Sequence, residues 1–187
     1  KISAVSISDG TSNIFVAEID TSIYNFSSID DKNKKDKLLF NSVTDFREGQ
    51  KIFSLSFNEN KILFDMVDSH GRDILSYSLD DLEVNLVKEN IWDERDPVYN
   101  EDTGILYSCD RSGTYNIYVD SVDGYTANLT NVVGGAFMPS RSRDGKVLFS
   151  LFDAGKYKIC ILDQLSSDTS LVSLKSNYSD FSYNSLD

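Results

Sequence analysis

The residues that could support catalysis are few in this chain and form no catalytic pattern. His70 is the only histidine, so a serine triad or a zinc site would have to be built around it. It lies in the run Ser69-His70-Gly71-Arg72, which is typical of an exposed turn. No G-x-S-x-G nucleophile elbow occurs anywhere in the chain. The sequence therefore predicts that this chain carries no catalytic residues.

Metal and redox chemistry are not indicated either. Cys109 and Cys160 stand singly inside apolar runs, which predicts buried small hydrophobic residues rather than ligands or a redox pair. Asp102, Asp123 and Asp144 lie beside glycine in turns, where an aspartate caps its own turn. No segment has the ligand spacing of an EF-hand. We therefore expect no metal and no cofactor.

Arginine and aromatic side chains offer a different chemistry, the anchoring of a partner. They concentrate in the segments between the predicted strands, on an acidic background. The candidate partner-binding residues are Arg47, Arg72, Trp92, Asp93, Glu94, Arg95, Arg111, Tyr115 and Phe137. An alternative interpretation is structural: Arg111 would pair with Asp110, and Trp92 would pack between repeats.

Composition limits the possible functions. The 187 residues are 40% hydrophobic, which is enough for one domain with a core. The net charge of -12 would repel a phosphate backbone, so nucleic-acid binding is not expected. No apolar run is long enough for a membrane span. The strand-like start at residues 1–5, with no signal peptide, favours an excerpt from a longer protein.

The elements that must position these residues follow from an internal repeat. Residues 146–163 overlay residues 104–121 at a constant shift of 42, and Pro97 meets Pro139 at the same shift. Residues 61–77 match residues 104–120 at a shift of 43, and residues 2–16 match residues 105–119 at a shift of 103. Asp180, Tyr183 and Asn184 match Asp96, Tyr99 and Asn100 at a shift of 84.

Four short strands per repeat, with a period of about 42 residues, predict the blades of a β-propeller. The run Ile105-Leu106-Tyr107 is apolar at successive positions, which favours strands buried on both faces between neighbouring blades. No stretch has helical periodicity. A β-sandwich does not explain the constant shift, and β-helix repeats are shorter. The predicted fold is all-β: a partial β-propeller of about four blades of four antiparallel strands.

The repeat also predicts the division of the chain. The predicted parts are a blade part at 1–45, whole blades at 52–90, 91–132 and 133–176, and the first strand of a further blade at 179–187. The predicted fourth strands are residues 38–43, 84–87, 126–129 and 171–174. Because each blade buries its faces only against its neighbours, we expect further blades from the same parent chain. Completion of the ring by a second copy is the alternative.

One insertion interrupts the period. Residues 20–37 include the run Asp30-Asp31-Lys32-Asn33-Lys34-Lys35-Asp36-Lys37, which is strongly hydrated and mixed in sign. We interpret the insertion as a solvated loop between the third and fourth strands. The alternative is a docking loop for a partner.

The segment from Asp96 to Tyr118 resembles the WD40-like repeat of TolB-type propellers. Asp96-Pro97-Val98-Tyr99, the turn that ends at Gly104, and Asp110-Arg111 occupy the characteristic places of that repeat. The next copy keeps Asp144-Gly145 in the turn but has Phe152-Asp153 in place of the Asp-Arg pair. This resemblance implies a propeller fold and, less specifically, a binding role for its loops.

The resemblance favours a non-catalytic module that binds a protein or peptide partner in the periplasm or cell envelope. In such a propeller, the loops after the second and fourth strands of each blade share one rim, where the candidate residues would lie. Two alternatives remain. One is the substrate-gating propeller of a serine peptidase of the prolyl oligopeptidase or tricorn type. The other is a propeller that binds a glycan or small ligand, with Trp92, Tyr115 and Phe137 stacking on it.

Overall fold

A computed structural model describes residues 1–19, 38–58, 60–100 and 104–163. The insertion at 20–37 and the predicted strands at 171–174 and 179–187 lie outside these ranges. The strands are β1 (Ile2–Ser8), β2 (Thr11–Ala17), β3 (Asn41–Ser42), β4 (Lys51–Asn58), β5 (Lys61–Val67), β6 (Arg72–Ser78), β7 (Val84–Lys88), β8 (Glu94–Asn100), β9 (Gly104–Cys109), β10 (Asn116–Asp120), β11 (Thr126–Asn128), β12 (Ala136–Arg141), β13 (Val147–Asp153) and β14 (Lys156–Leu162). In this part of the chain, no helix has the length and apolarity to cross a membrane.

The strands form four antiparallel sheets in which each strand pairs with its neighbours in sequence. Sheet 1 is β1-β2-β3, sheet 2 is β4-β5-β6-β7, sheet 3 is β8-β9-β10-β11, and sheet 4 is β12-β13-β14. Tight turns explain this order, since glycines with positive φ such as Gly10 and Gly155 close two-residue hairpin loops. The all-β prediction is confirmed, with four strands in sheets 2 and 3 and three described strands in sheets 1 and 4. Strands β3, β7 and β11 overlap the segments predicted as fourth strands.

Three apolar clusters hold the sheets face to face. One joins sheets 1 and 2, with Ile14, Val16, Ile52, Ile62, Phe64, Met66 and Tyr77. A second joins sheets 2 and 3, with Leu63, Ile74, Tyr107, Cys109 and Tyr118. A third joins sheets 3 and 4, with Leu106, Ile117, Val119, Ala136, Val147, Phe149, Leu151 and Leu162.

Strand β9 shows why its sequence does not alternate between polar and apolar residues. Leu106 packs toward sheet 4 and Tyr107 toward sheet 2, and both side chains are fully buried. A strand between two neighbouring sheets has no wet face, so successive positions can be apolar. Cys109 is buried as expected, whereas Cys160 is half-buried at the edge of the third cluster.

The first strands of sheets 2, 3 and 4 each contain a β-bulge. In sheets 3 and 4 the bulges include Asp96 and Met138, whose φ angles of 56° and 52° are left-handed. A bulge leaves a backbone N–H without a partner in the ladder. The carboxylate of Asp96 accepts a hydrogen bond from the Met138 N–H (3.1 Å), and that of Asp65 accepts one from the Asp96 N–H (3.2 Å). These bonds join the bulges of successive sheets.

Candidate functional site

Strand direction brings the candidate residues to one edge of the sheets. In sheet 3 the start of β8, the end of β9 and the start of β10 lie side by side, because Glu94 and Asn116 both pair with Cys109. The β9–β10 loop and the connection from sheet 2 into β8 therefore meet at this edge. We call the edge, with the corresponding loops of the other sheets, the loop rim.

A side-chain clamp fixes the connections that enter the loop rim. In sheet 3 the Asn116 Oδ1 atom accepts hydrogen bonds from the Thr130 hydroxyl (2.9 Å) and the Val132 N–H (3.0 Å). The Thr130 Oγ1 atom in turn accepts from the Ile117 N–H (2.8 Å). Since these groups are buried or half-buried, their hydrogen bonds hold the connection from sheet 3 to sheet 4 in one position.

Sheet 1 repeats the clamp. Its Asn13 Oδ1 atom accepts from the Thr44 hydroxyl (2.9 Å) and the Phe46 N–H (2.7 Å), and Thr44 accepts from the Ile14 N–H (2.9 Å). Asn13 and Asn116 are the residues that the sequence repeat aligns at a shift of 103. The repeat thus specifies the loop anchors as well as the strands.

Four of the candidate residues meet where sheets 3 and 4 approach. Arg95 donates hydrogen bonds to the Asp93 carboxylate (3.0 Å) and to the Tyr115 hydroxyl, and Tyr115 donates to Asp93 (2.9 Å). The Arg95 guanidinium lies 4.0 Å from the centre of the Tyr115 ring. The Phe137 ring also packs against Tyr115, with ring centroids 5.1 Å apart. We call Asp93, Arg95, Tyr115 and Phe137 the Tyr115 cluster.

The Tyr115 cluster is held rigidly. Burial and the hydrogen bond to Asp93 raise the pKa of Tyr115 to about 12, so the hydroxyl stays a donor at neutral pH. The Asp93 N–H donates to the Asp110 carboxylate (3.1 Å), and the Ala136 N–H donates to the Tyr115 carbonyl (2.8 Å). Backbone and side chains from three loops therefore support one another.

Trp92 and Glu94 flank Asp93 but have opposite surroundings. Trp92 remains 38% exposed at the loop rim. Glu94 is fully buried, and burial raises its pKa to about 7. The sequence placed Glu94 and Arg95 in a loop; they are the first two residues of strand β8, and Phe137 likewise lies in β12.

The remaining arginines are engaged elsewhere. Arg72, the first residue of β6, binds the fully buried Asp65 carboxylate through Nε (2.7 Å) and Nη2 (2.6 Å). Arg111 lies 3.7 Å from the centre of the Tyr118 ring, and in the described ranges it makes no ion pair with Asp110. Arg47 forms an exposed ion pair with Asp45. These three arginines are not part of the Tyr115 cluster.

Sequence reasoning did not single out Asp65 or Asn90, and it named Asp110 only beside Arg111 and not as a partner of Asp93. Asp65 interrupts the buried run Ile62–Met66 at the place where the repeat has Ser108 and Ser150, and that interruption was a usable signal. Asn90 and Asp110 act through backbone and long-range contacts, which no local pattern indicates. His70 lies in an exposed turn as predicted, and its N–H donates to Asp68 (2.7 Å).

No metal site is present in the described ranges. There, no group of three or more His, Cys, Asp and Glu side chains is placed to hold a metal ion. The Tyr115 cluster has carboxylate, guanidinium and phenol groups that bond to one another, while the buried Arg95 Nε atom has no hydrogen-bond partner among the described residues. What this arrangement offers chemically is a rigid surface with an exposed indole.

No protein-family model matches the chain, and no curated protein sequence matches it. Solved structures do match. TolB from Acinetobacter baumannii aligns over 85% of this chain and 37% of its own length, at 19% identity and a TM-score of 0.66. A putative TolB from Agrobacterium tumefaciens aligns over 83% of this chain and 53% of its own, at 17% identity and a TM-score of 0.59. The chain thus spans about a third to a half of these proteins, and it has the fold of a TolB-type β-propeller.

Proposed function

We propose that this chain is a non-catalytic TolB-like propeller module that binds a protein or peptide partner in the periplasm or cell envelope. The observation that carries the proposal is an exposed tryptophan, Trp92, directly before Asp93 of the preorganised Tyr115 cluster. The likeness in fold to TolB supports the cellular compartment and the class of partner.

The geometry suits a binding anchor. Tryptophan, tyrosine and arginine dominate the energetics of protein interfaces, especially where the supporting side chains are already ordered. Arg95 and Tyr115 lose little conformational freedom on binding, because hydrogen bonds to Asp93 already fix them. Trp92 supplies a large apolar surface at the same edge. A partner that covers Trp92 would bury that surface without reorganising the site.

The test is site-specific photo-crosslinking in the envelope of the bacterium that carries the gene, with the parent protein as the bait. A photoreactive amino acid replaces Trp92 in one variant and Tyr125 in a second. Tyr125 is the matched control, since it is 74% exposed but lies in the β10–β11 turn at the opposite edge of sheet 3. The expected result is a discrete protein adduct from position 92 and none from position 125.

The crosslinked protein is then purified and titrated against two alanine variants. Truncation of a central interface tryptophan costs about 2 kcal/mol or more, so Trp92→Ala should weaken binding by at least about 30-fold. Tyr125→Ala should leave the affinity unchanged. Adducts from position 125 alone, or equal affinities for the wild type and Trp92→Ala, would rule out the rim as the binding surface.

A further inference from the structure

The connection that carries Trp92, residues 89–93, is anchored differently from the equivalent connections of sheets 1 and 3. There, threonine and asparagine make several short hydrogen bonds, as described above. In sheet 2 the threonine is replaced by Lys88, which instead pairs with Asp120 (2.6 Å). Asp73 takes the place of the asparagine and accepts one long bond, from the Asn90 N–H (3.4 Å). The backbone clamp on residues 89–93 is therefore the weakest of the three.

A second bond replaces the missing clamp. The Asn90 side-chain amide donates to the Glu94 Oε1 atom (2.7 Å). Glu94 is fully buried, and its Oε2 atom has no hydrogen-bond partner among the described residues. The equivalent positions in sheets 2 and 4 hold Ile52 and Ala136. An ionisable group thus stands where the other sheets place an apolar one, directly beneath the loop.

The surroundings favour the neutral form of this carboxyl group. Burial is the largest influence and raises the pKa of Glu94 from 4.5 to about 7; the bond from Asn90 acts in the opposite direction. The charged and titratable groups that face it are Asp73 of β6, Lys88 of β7, Cys109 at the end of β9 and Arg111 of the β9–β10 loop. Asp73 opposes ionisation, whereas Lys88 and Arg111 favour it without contacting the Oε2 atom.

Ionisation therefore conflicts with the closed loop. A buried carboxylate that lacks a second hydrogen bond is strongly disfavoured, and movement of residues 89–92 away from Glu94 would let water reach it. A neutral carboxyl group can stay buried and still accept from Asn90.

We propose that residues 89–92 form a pH-controlled loop, which closes over Glu94 while this carboxyl group is protonated and opens when it ionises, with Asp93 remaining in the Tyr115 cluster. This inference concerns the position of the loop and does not rest on the proposed function. It makes the exposure of Trp92 depend on pH.

The sign and size of the effect follow from the two states. In the open loop Glu94 titrates near its ordinary value, and in the closed loop near 7. The open-to-closed ratio therefore rises as the pH increases from 4.5 to about 7, by about two orders of magnitude in all, and levels off above that range.

The natural probe is Trp92, the only tryptophan of the chain. We expect its emission to shift to longer wavelength, and its quenching by acrylamide to increase, as the pH of the 187-residue chain is raised from 4.5 to 8. Circular dichroism in the far ultraviolet, recorded at each pH, separates loop opening from unfolding. Glu94→Gln keeps the acceptor for Asn90 but cannot ionise, so its emission should stay at the closed-loop wavelength throughout.

Three further variants complete the test. His70→Asn removes the only histidine and should leave the transition unchanged. Asn90→Ala removes the contact between loop and carboxyl group and should give the open-loop emission already at pH 5. Glu94→Ile, which copies the residue of sheet 2, also cannot ionise, so its emission should not change with pH, and it replaces Glu94→Gln if that variant does not fold. A flat wild-type titration, a transition that persists without Glu94, or one that disappears with His70 would each overturn the proposal.

Discussion

The ion pair between Asp65 and Arg72 gives the sharpest prediction about this fold. The Asp65 carboxylate is fully buried, and the Arg72 side chain is only 13% exposed. The sequence repeat places Ser108 and Tyr115 in sheet 3 at these two positions, and Ser150 and Tyr157 in sheet 4. Sheet 2 thus has a buried ion pair where sheets 3 and 4 have serine and tyrosine.

Removing either partner alone should be costly. Asp65→Ser leaves a nearly buried guanidinium with only its contact to the Phe53 ring, 4.4 Å away. Arg72→Tyr leaves a buried carboxylate with no counter-charge. Breaking a buried pair in this way costs about 3–5 kcal/mol. We take about 3 kcal/mol for each variant, since Asp65→Ser keeps the cation–π contact and Asp65 still accepts from the Asp96 N–H after Arg72→Tyr.

The double variant should recover most of that loss. Asp65→Ser with Arg72→Tyr gives sheet 2 the two residues found in sheets 3 and 4, and replacing a buried ion pair by neutral side chains that fit is often close to neutral. We expect the double variant to lie within about 1–2 kcal/mol of the wild type, the remainder being the lost acceptor for the Asp96 N–H and the Ser54 hydroxyl.

Urea unfolding at pH 7.5, followed by circular dichroism, measures the free energies and their coupling in a double-mutant cycle. For a chain of this length each single variant should also lower Tm by about 6–12 °C. Asp45→Ser is the matched control, because it breaks an exposed ion pair with Arg47 and should change nothing measurable. Single variants that cost under about 1 kcal/mol, or a double variant as unstable as the worse single one, would refute the reasoning.

Two other predictions concern the backbone. Asp96→Ala removes the acceptor of the Met138 N–H and places alanine at a φ of 56°, so it should lower the free energy of unfolding in urea by about 1–2 kcal/mol. Asp96→Asn should cost less than half of that. Equal losses for the two variants would mean that the acceptor has no role. Gly104→Ala would place a Cβ atom 2.0 Å from the Asp120 carbonyl oxygen, while Gly113→Ala, at the same φ of 89°, meets no atom within 4 Å. Gly113→Ala should therefore cost about 1 kcal/mol and Gly104→Ala at least about 2 kcal/mol more; similar Tm values for the two would contradict this.

Much of the fold could be read from the sequence because one spacing controls it. Shifts of 42 and 43 residues align strands with strands and glycine turns with glycine turns, and β9 and β10 begin within a residue of the predicted runs. Pro97 and Pro139 mark the bulges of β8 and β12, since proline lacks the N–H that a regular ladder needs. The link between successive bulges, through Asp96, could not be seen, because it joins separate sheets.

The candidate site was harder to predict, because exposure and pairing depend on distant residues. The predicted propeller could place Asp93, Arg95, Tyr115 and Phe137 at the same rim, but their mutual contacts require the β7–β8 connection, the β9–β10 loop and β12 to meet. The burial of Glu94 was recoverable, since the repeat aligns it with Ile52 and Ala136. A polar residue at a position that is apolar in the other repeats indicates a buried polar group more strongly than membership of a charged run does.

The loop rim exists only if the four sheets pack face to face in the order in which they occur in the sequence. Methyl-labelled NMR spectroscopy measures that arrangement directly through nuclear Overhauser effects. We predict cross-peaks that connect Leu106 and Ile117 of sheet 3 with Val147 and Leu151 of sheet 4, residues that share one buried cluster. Cross-peaks confined to single sheets, with none between residues one repeat apart, would contradict the stacked blades and the rim that they position.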